Sequence, residues 1–241
     1  MTPLGRAMGA SQPIGGLNES YARWRSRRLG QITVRLERHL LFEMLGPVAG
    51  KTLLDVGCGD GALASELARR GAIVTGLDAD PAMIAAARRS VGVEGARLHL
   101  VEGRAETLPF GQATFDIALA VTVLCFVRDA TQAVREMARV LKPEGRLVVG
   151  ELGRWNLWAA QRRIRGWLGD PTWRAAQFRS ATELRALVHA AGLKVIEVRG
   201  AAYYPPCTAV ARLLAPVDAQ LGRRTSLGAA FVGILATKLN Q

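Results

Sequence analysis

From Thr52 onward the chain alternates two hydrophobic patterns. Short runs of β-branched and apolar residues are followed by longer stretches in which apolar residues return every three or four positions. The first pattern fits strands and the second amphipathic helices, and their alternation predicts a parallel sheet with crossover helices. Strands are expected at 52–56, 73–78, 96–101, 115–121 and 146–151, then at 193–199 and 229–238, which makes a seven-stranded sheet. A helix is expected over 62–70, ended by Gly71, a residue suited to the left-handed position after a helix. Asp80-Pro81 opens the next, because proline lacks only an N–H that the first turn leaves unbonded anyway. Val134, Met137, Ala138 and Leu141 share one helical face before Lys142-Pro143-Glu144-Gly145 turns the chain into the fifth strand, and a further helix is expected over 181–190.

Composition adds little to this picture. With 241 residues, 49% hydrophobic and 22% charged, the chain has the means to bury one sizeable core. No apolar run approaches the roughly 20 residues that cross a bilayer, and residues 1–16 lack the continuous apolar stretch of a secretory signal, so a cytoplasmic chain is expected. Cys58, Cys125 and Cys207 have no paired spacing and are read as reduced thiols, with no metal site.

Charge changes the picture more. The formal net charge is +12, and three segments carry it: residues 1–50 hold seven arginines against three acids, 152–179 six arginines against Asp170, and 208–241 four basic residues against Asp218. The central body is therefore neutral, which makes nucleic acid an unfavoured partner.

The sharpest local signal is Leu53-Leu54-Asp55-Val56-Gly57-Cys58-Gly59-Asp60-Gly61, a strand running into a glycine-rich turn that opens a helix. Glycines there let the backbone approach a ligand closely. The spacing Gly57-x-Gly59-x-x-Ala62, with Asp78 at the distance of a ribose-binding acid, also satisfies a loose dinucleotide fingerprint. Asp55 separates the two readings, because a negative charge beside the turn suits a ligand carrying a cationic amine and sulfonium and repels a pyrophosphate.

Together with Gly76-Leu77-Asp78-Ala79-Asp80-Pro81-Ala82-Met83, Gly103-Arg104-Ala105-Glu106-Thr107-Leu108-Pro109-Phe110, Phe115-Asp116-Ile117 and Arg139-Val140-Leu141-Lys142-Pro143-Glu144-Gly145, this motif resembles the class I S-adenosylmethionine-dependent methyltransferases over nearly the whole chain. The resemblance implies a Rossmann-like α/β fold: a mostly parallel seven-stranded sheet with an antiparallel seventh strand and helices on both faces. It implies that Asp55 and the turn of Gly57, Cys58, Gly59 and Gly61 hold the methionine part of S-adenosylmethionine, Asp78 the ribose hydroxyls, and Ala79 with Met83 the adenine surroundings. Ala105, Glu106 and Val121 would complete the wall. Many relatives place an acid where Arg104 stands; a guanidinium has no acceptor, so the adenine contact passes to backbone or to Glu106. Cys58 is given no chemistry, and Asp116 is read as a support of the fourth strand.

Ligands of open parallel sheets bind beyond the carboxyl ends of the strands, which brings 122–128, 152–179 and 200–207 to one rim. The segment 152–179 holds Trp155, Trp158, Trp167 and Trp173 with its six arginines and is expected to be a lid insertion. On a helical wheel Leu157, Ala160, Ile164, Trp167 and Leu168 share one face with Arg162 and Arg165 off it. The favoured reading packs this stripe on the sheet; the other places it on an anionic membrane surface, making the chain membrane-peripheral. At the amino terminus, residues 1–18 are expected to be mobile and 19–50 to form a helical cap on a single domain spanning 19–241. The stretch from Tyr21 to Glu37 resembles the entry helices of small-molecule members of this family, which implies that Tyr21, Trp24 and Gly30 close the cofactor site, with Tyr21 and Trp24 also acceptor-side candidates.

The expected function is methyl transfer to a small, apolar, lipid-like or quinone-like acceptor through an oxygen, nitrogen or carbon nucleophile. Trp155, Glu151, Tyr203 and Tyr204 are the acceptor-side candidates on the rim, with Glu151 the best-placed acid and His39, His99 and His189 structural. Three other readings stand beside it. Cys125 and Cys207 as a thiolate pair would fit arsenite; the charge would fit RNA, although no RNA-binding module or Asn-Pro-Pro-Tyr type motif is present; and a non-catalytic cofactor-binding module would use the basic segments as partner surfaces.

Overall fold

The computed structural model describes residues 23–90 and 97–240. The mobile segment expected at 1–18, Tyr21, and position 96 at the start of the third strand lie outside the described residues.

Seven strands form one sheet: β1 (Thr52–Val56), β2 (Ile73–Asp78), β3 (Leu98–Glu102), β4 (Phe115–Val121), β5 (Leu141–Leu152), β6 (Leu193–Ala201) and β7 (Phe231–Lys238). Their order is β3-β2-β1-β4-β5-β7-β6. The first five strands pair in parallel, and β7 runs antiparallel to both β5 and β6. Around the sheet lie α1 (Arg28–Leu45), α2 (Ala62–Arg69), α3 (Pro81–Ser90), α4 (Ala130–Val140), α5 (Leu157–Trp167), α6 (Pro171–Ala175), α7 (Ala181–Ala190) and α8 (Thr208–Arg224).

The central strands read as continuous apolar runs because both of their faces are covered. Successive side chains point to opposite faces: Leu54, Val56, Ala118 and Val149 meet the apolar faces of α4 and α7, while Leu53, Ile117, Leu119 and Val148 meet α1 and α2. Gly150 is bare because the Phe231 ring of β7 fills the space beside it, and Gly233 because α1 lies against the sheet there. A Cβ on Gly150 would sit 2.3 Å from Phe231, and one on Gly233 2.5 Å from Leu40. From β1 the chain goes outward through β2 to β3, then returns to β4 on the other side, so the crevice between the carboxyl ends of β1 and β4 is the switch point where ligands of such sheets bind.

Four details differ from the sequence reading. Lys142-Pro143-Glu144-Gly145 is an excursion within β5 rather than a turn before it: Leu141 pairs with Phe115 and Arg146 with Ile117, with Glu144 in the left-handed region at φ 61°. β7 begins at Phe231 rather than at 229. Helix α8 was not anticipated, because Pro216 interrupts its pattern, although the helix continues through it. The largest difference concerns α5, whose apolar stripe faces away from the sheet: Trp158, Ala159 and Gly166 are buried, while Leu157, Ala160, Ile164, Trp167 and Leu168 are exposed. A helical wheel cannot choose between two faces that both carry large apolar residues. Trp158 decides it, since its Nε1 donates to the backbone oxygen of Tyr204 at 2.8 Å, a buried acceptor.

Candidate active site

The turn after β1 is built on three residues that only glycine occupies without strain: Gly57, Gly59 and Gly61 have φ of 72°, 55° and 74°. Each does a different job. A Cβ on Gly57 would lie 2.2 Å from Val123 Cγ2, so this glycine lets the rim after β4 close over the turn. On Gly61 it would meet Ala87 at 3.0 Å, so that glycine lets α3 approach the start of α2. On Gly59 it would meet nothing within 4 Å, which makes Gly59 the position whose backbone faces open space at the switch point.

Two carboxylates frame that turn. Asp78, at the end of β2, accepts from the Gly59 N–H and the Asp80 N–H, each at 2.9 Å. Asp78 thus ties the turn to β2, and burial raises its pKa despite those bonds. Asp55 is 2% exposed, and burial together with the Asp78 charge lifts its pKa to about 7. No cation offsets that burden among the described residues. A buried carboxylate beside a turn with an open backbone position fits a ligand that brings positive charge, as the ammonium and sulfonium of S-adenosylmethionine do, and it fits a pyrophosphate badly.

The other residues expected around the cofactor lie at or just after the carboxyl ends of β1, β2, β3 and β4. Cys58 is buried against bare Gly76, whose Cβ would lie 3.0 Å from its sulfur, and burial pushes its thiol pKa up. Its place is packing rather than chemistry. Ala79 is exposed and Met83 half-buried where β2 passes into α3, and Val121 is half-buried at the end of β4. Ala105 is buried in the core. Glu106 accepts from Arg104 Nη2 at 3.0 Å and from the Arg128 N–H at 3.2 Å. Arg104, standing where many relatives have an acid, is thereby tied to the neighbouring Glu106.

Closure over the turn comes from the amino-terminal helical segment. Arg25 forms an ion pair with Asp60 inside the glycine turn, and Asp60 accepts from the Ala62 N–H at 3.3 Å at the head of α2. Gly30 is required where this segment meets α1, since a Cβ there would lie 2.1 Å from the Trp24 carbonyl oxygen. Trp24 then packs edge-on against Trp158 at 6.1 Å between ring centres, and Trp158 against Tyr204 at 6.4 Å. The Tyr204 hydroxyl shares a 2.9 Å hydrogen bond with Thr33, and burial lifts its pKa to about 12. The amino-terminal segment, α5 and the exit of β6 thus meet in one aromatic cluster.

The remaining acceptor-side candidates divide. Glu151 is 1% exposed, and its Oε1 accepts from the Val123 N–H at 2.9 Å and the Leu124 N–H at 2.7 Å. Burial lifts its pKa to about 7 against those bonds. It therefore holds the rim that presses on Gly57. Cys125 is buried among Leu152, Ala159 and Phe178 with its pKa raised by burial and by Glu151. Cys207 is exposed at the head of α8, where backbone hydrogen bonds lower its pKa. The two thiols lie in unlike settings, one inside a core and one in solvent, and no cluster of metal-ligating side chains occurs among the described residues. Tyr203 donates to the Thr225 carbonyl, and Trp155 is exposed beneath the Arg154 guanidinium. His39 pairs with Glu43 on α1 at 3.6 Å.

Two residues at this end of the sheet escaped the sequence reading. Asp218, buried on α8, accepts from the Ala202 and Tyr203 N–H groups at 3.0 and 2.9 Å and fixes the exit of β6, where Ala202 adopts φ 62°. Glu37, on α1, has its pKa lifted to about 7 by burial against the opposing charges of Arg162 and Arg38. Asp218 stood out in sequence as the single acid of a basic segment, but nothing local showed its hydrogen-bonding role; Glu37 carried no signal.

Asp78 thus has a structural task beside the ribose role that the resemblance implies. Asp78→Ala is expected to lower S-adenosylmethionine affinity by about 1.5–3 kcal/mol for lost hydrogen bonds to a charged acceptor. It is also expected to lower the melting temperature of the cofactor-free protein, since the Gly59 and Asp80 N–H groups lose their partner. Calorimetric titration and thermal unfolding of the variant read the two effects separately.

Comparison with known proteins agrees with this geometry. Residues 54–149 match the family model described as a methyltransferase domain. The chain is 33% identical over 186 residues to a protein named ubiquinone biosynthesis O-methyltransferase from Azorhizobium caulinodans, covering 74% of this chain and 73% of that one. It is 43% identical over 115 residues to a demethylmenaquinone methyltransferase from Tropheryma whipplei, 47% of each chain. Among solved structures, an S-adenosylmethionine-dependent methyltransferase from Thermotoga maritima, described as a possible histamine N-methyltransferase, superposes with a TM-score of 0.71 at 24% identity over 92% of this chain and 97% of that one. That last likeness establishes the fold. With the glycine turn, the buried acid before it and the relatives in agreement, the chain belongs to the class I S-adenosylmethionine-dependent methyltransferases.

Proposed function

We propose that the acceptor is an apolar, quinone-like ring methylated on a ring hydroxyl. The observation that carries this reading is the aromatic cluster of Trp24, Trp158 and Tyr204, tied to the glycine turn through Arg25 and Asp60. Half-buried Trp24 offers ring surface beside the turn, and buried Trp158 and Tyr204 back it. The name of the Azorhizobium relative, which covers more of the chain than the demethylmenaquinone enzyme does, favours oxygen over carbon as the acceptor atom.

S-adenosylmethionine, when bound, would supply a methyl carbon on a positive sulfur, for transfer to the acceptor's ring oxygen as its anion with the neutral thioether as leaving group. The chain's own task is alignment and exclusion of water. Asp55 and the backbone around Gly59 orient the donor, Val123 held by Glu151 closes the turn from the β4 side, and the Trp24 segment closes it from above. Glu151 acts as a positioning residue, since its carboxylate is spent on backbone N–H groups.

Transfer of label from methyl-labelled S-adenosylmethionine to a demethylated ubiquinone precursor tests the reading. Label is expected on the ring hydroxyl of that precursor, and Trp24→Ala is expected to raise the acceptor KM about tenfold, ~1.4 kcal/mol. Label appearing instead in RNA, or in arsenite with thiol reductant present, contradicts it.

A further inference from the structure

The solvent-facing side of α5 and its carboxyl end carries an apolar stripe, with Gln161 and Arg165 exposed beside it. Leu157, Ile164, Trp167 and Leu168 are 62%, 51%, 81% and 82% exposed, and Trp155 beside them is 63% exposed. The helix's inner side is fully used: Trp158 and Ala159 are buried, and Gly166 is bare because α6 presses on it, a Cβ there meeting the Trp173 backbone at 2.9 Å. Next to the apolar face, α5, α6 and α7 enclose a groove of about 1040 Å³ whose lining includes Trp167, Arg154, Arg163, Arg174 and Arg179. Its one acidic lining residue, Glu183, is taken up by Arg154 at 2.5 Å and by capping α7 with Ser180.

Exposed tryptophan and leucine clustered on one helix call for a covering surface, and the adjoining guanidiniums say which kind. A nucleic acid would answer the arginines and leave the apolar face wet. A second copy of this chain would cover the apolar face and bring like charges together. A lipid surface that is apolar within and anionic at its edge answers both. We propose that α5 docks on an anionic membrane, lying in the plane of the interface with Leu157, Ile164, Trp167 and Leu168 inserted and the arginine-lined groove against lipid phosphates. The helix has 11 residues and no helix among the described residues is long and apolar enough to cross a membrane, so the contact is peripheral. This inference is independent of the acceptor's identity.

Cosedimentation of the full chain with vesicles of phosphatidylcholine alone, or of phosphatidylcholine mixed with phosphatidylglycerol, tests it at low and high salt. Binding to the mixed vesicles is expected, weakened by salt. Arg163→Gln with Arg174→Gln is expected to weaken it roughly fivefold per arginine. Trp167→Ser with Leu168→Ser is expected to weaken it about tenfold or more, through lost apolar burial. Both double variants should keep the parent's S-adenosylmethionine affinity, which shows that they are folded. The proposal is overturned if the parent ignores both vesicles, if the Trp167 and Leu168 variant binds mixed vesicles as well as the parent, or if salt-sensitive pelleting occurs with RNA while the vesicles are ignored.

Discussion

Asp55→Asn is expected to weaken S-adenosylmethionine binding on the order of a hundredfold, about 3 kcal/mol, the scale of removing one partner from a buried charge pair. The carboxyl is buried and titrates near 7 in the folded chain against a reference of 3.8. The folded protein therefore holds a proton that the unfolded chain releases between those values. The Asp55 contribution to the stability of the cofactor-free protein is full below about 4 and falls as pH rises toward 7. Asn removes that contribution, and the loss of stability with rising pH becomes shallower rather than flat because Glu37 and Glu151 titrate in the same range. Cofactor affinity moves the other way. A cation pairs with the ionised carboxylate, so affinity should rise with pH, about tenfold per unit well below 7, and level above it. In the Asn variant this slope should disappear. Calorimetric titration from pH 5 to pH 8, with thermal unfolding over the same range, checks both signs.

The second large effect separates two glycines that look alike in sequence. Gly57→Ala combines a left-handed φ of 72° with a Cβ placed 2.2 Å from Val123, so it is expected to cost roughly 2–4 kcal/mol of stability through strain and overpacking. Gly59→Ala carries only the strain, at φ 55° with nothing within 4 Å, roughly 1–2 kcal/mol. Yet Gly59→Ala should abolish measurable cofactor binding, because its methyl group projects where the backbone must be approached. Chemical denaturation and cofactor titration of the two variants should rank them in opposite orders: Gly57→Ala the less stable, Gly59→Ala the folded protein that no longer binds.

The cofactor half of the molecule was legible because its determinants are local. Asp55 through Gly61 specify a strand, a turn and a helix head within one short stretch, and the crossover rule for parallel strands places β2 and Asp78 beside it. The rim was less legible because its determinants are distant. Glu151 looked like a free acid at a strand end, and only the fold of β4 alongside β5 shows its carboxylate taken by Val123 and Leu124. Cys125 and Cys207 share a rim in sequence order, yet one is sealed among Leu152 and Phe178 and the other stands in solvent. The stripe on α5 misled for a related reason. Periodicity reports that a face is apolar, while the partner that face meets is decided elsewhere, here by Trp158 finding the Tyr204 carbonyl.

The pairing of a cationic ligand with Asp55 is the centre of this account, and parallel titrations of the unmodified chain with S-adenosylmethionine and with NAD test it most directly. The expected result is micromolar binding of S-adenosylmethionine, on the order of −8 kcal/mol, with affinity rising from pH 5 to pH 7 and no measurable heat from NAD. Preferential binding of NAD, or S-adenosylmethionine affinity indifferent to both pH and the Asp55→Asn substitution, would contradict it.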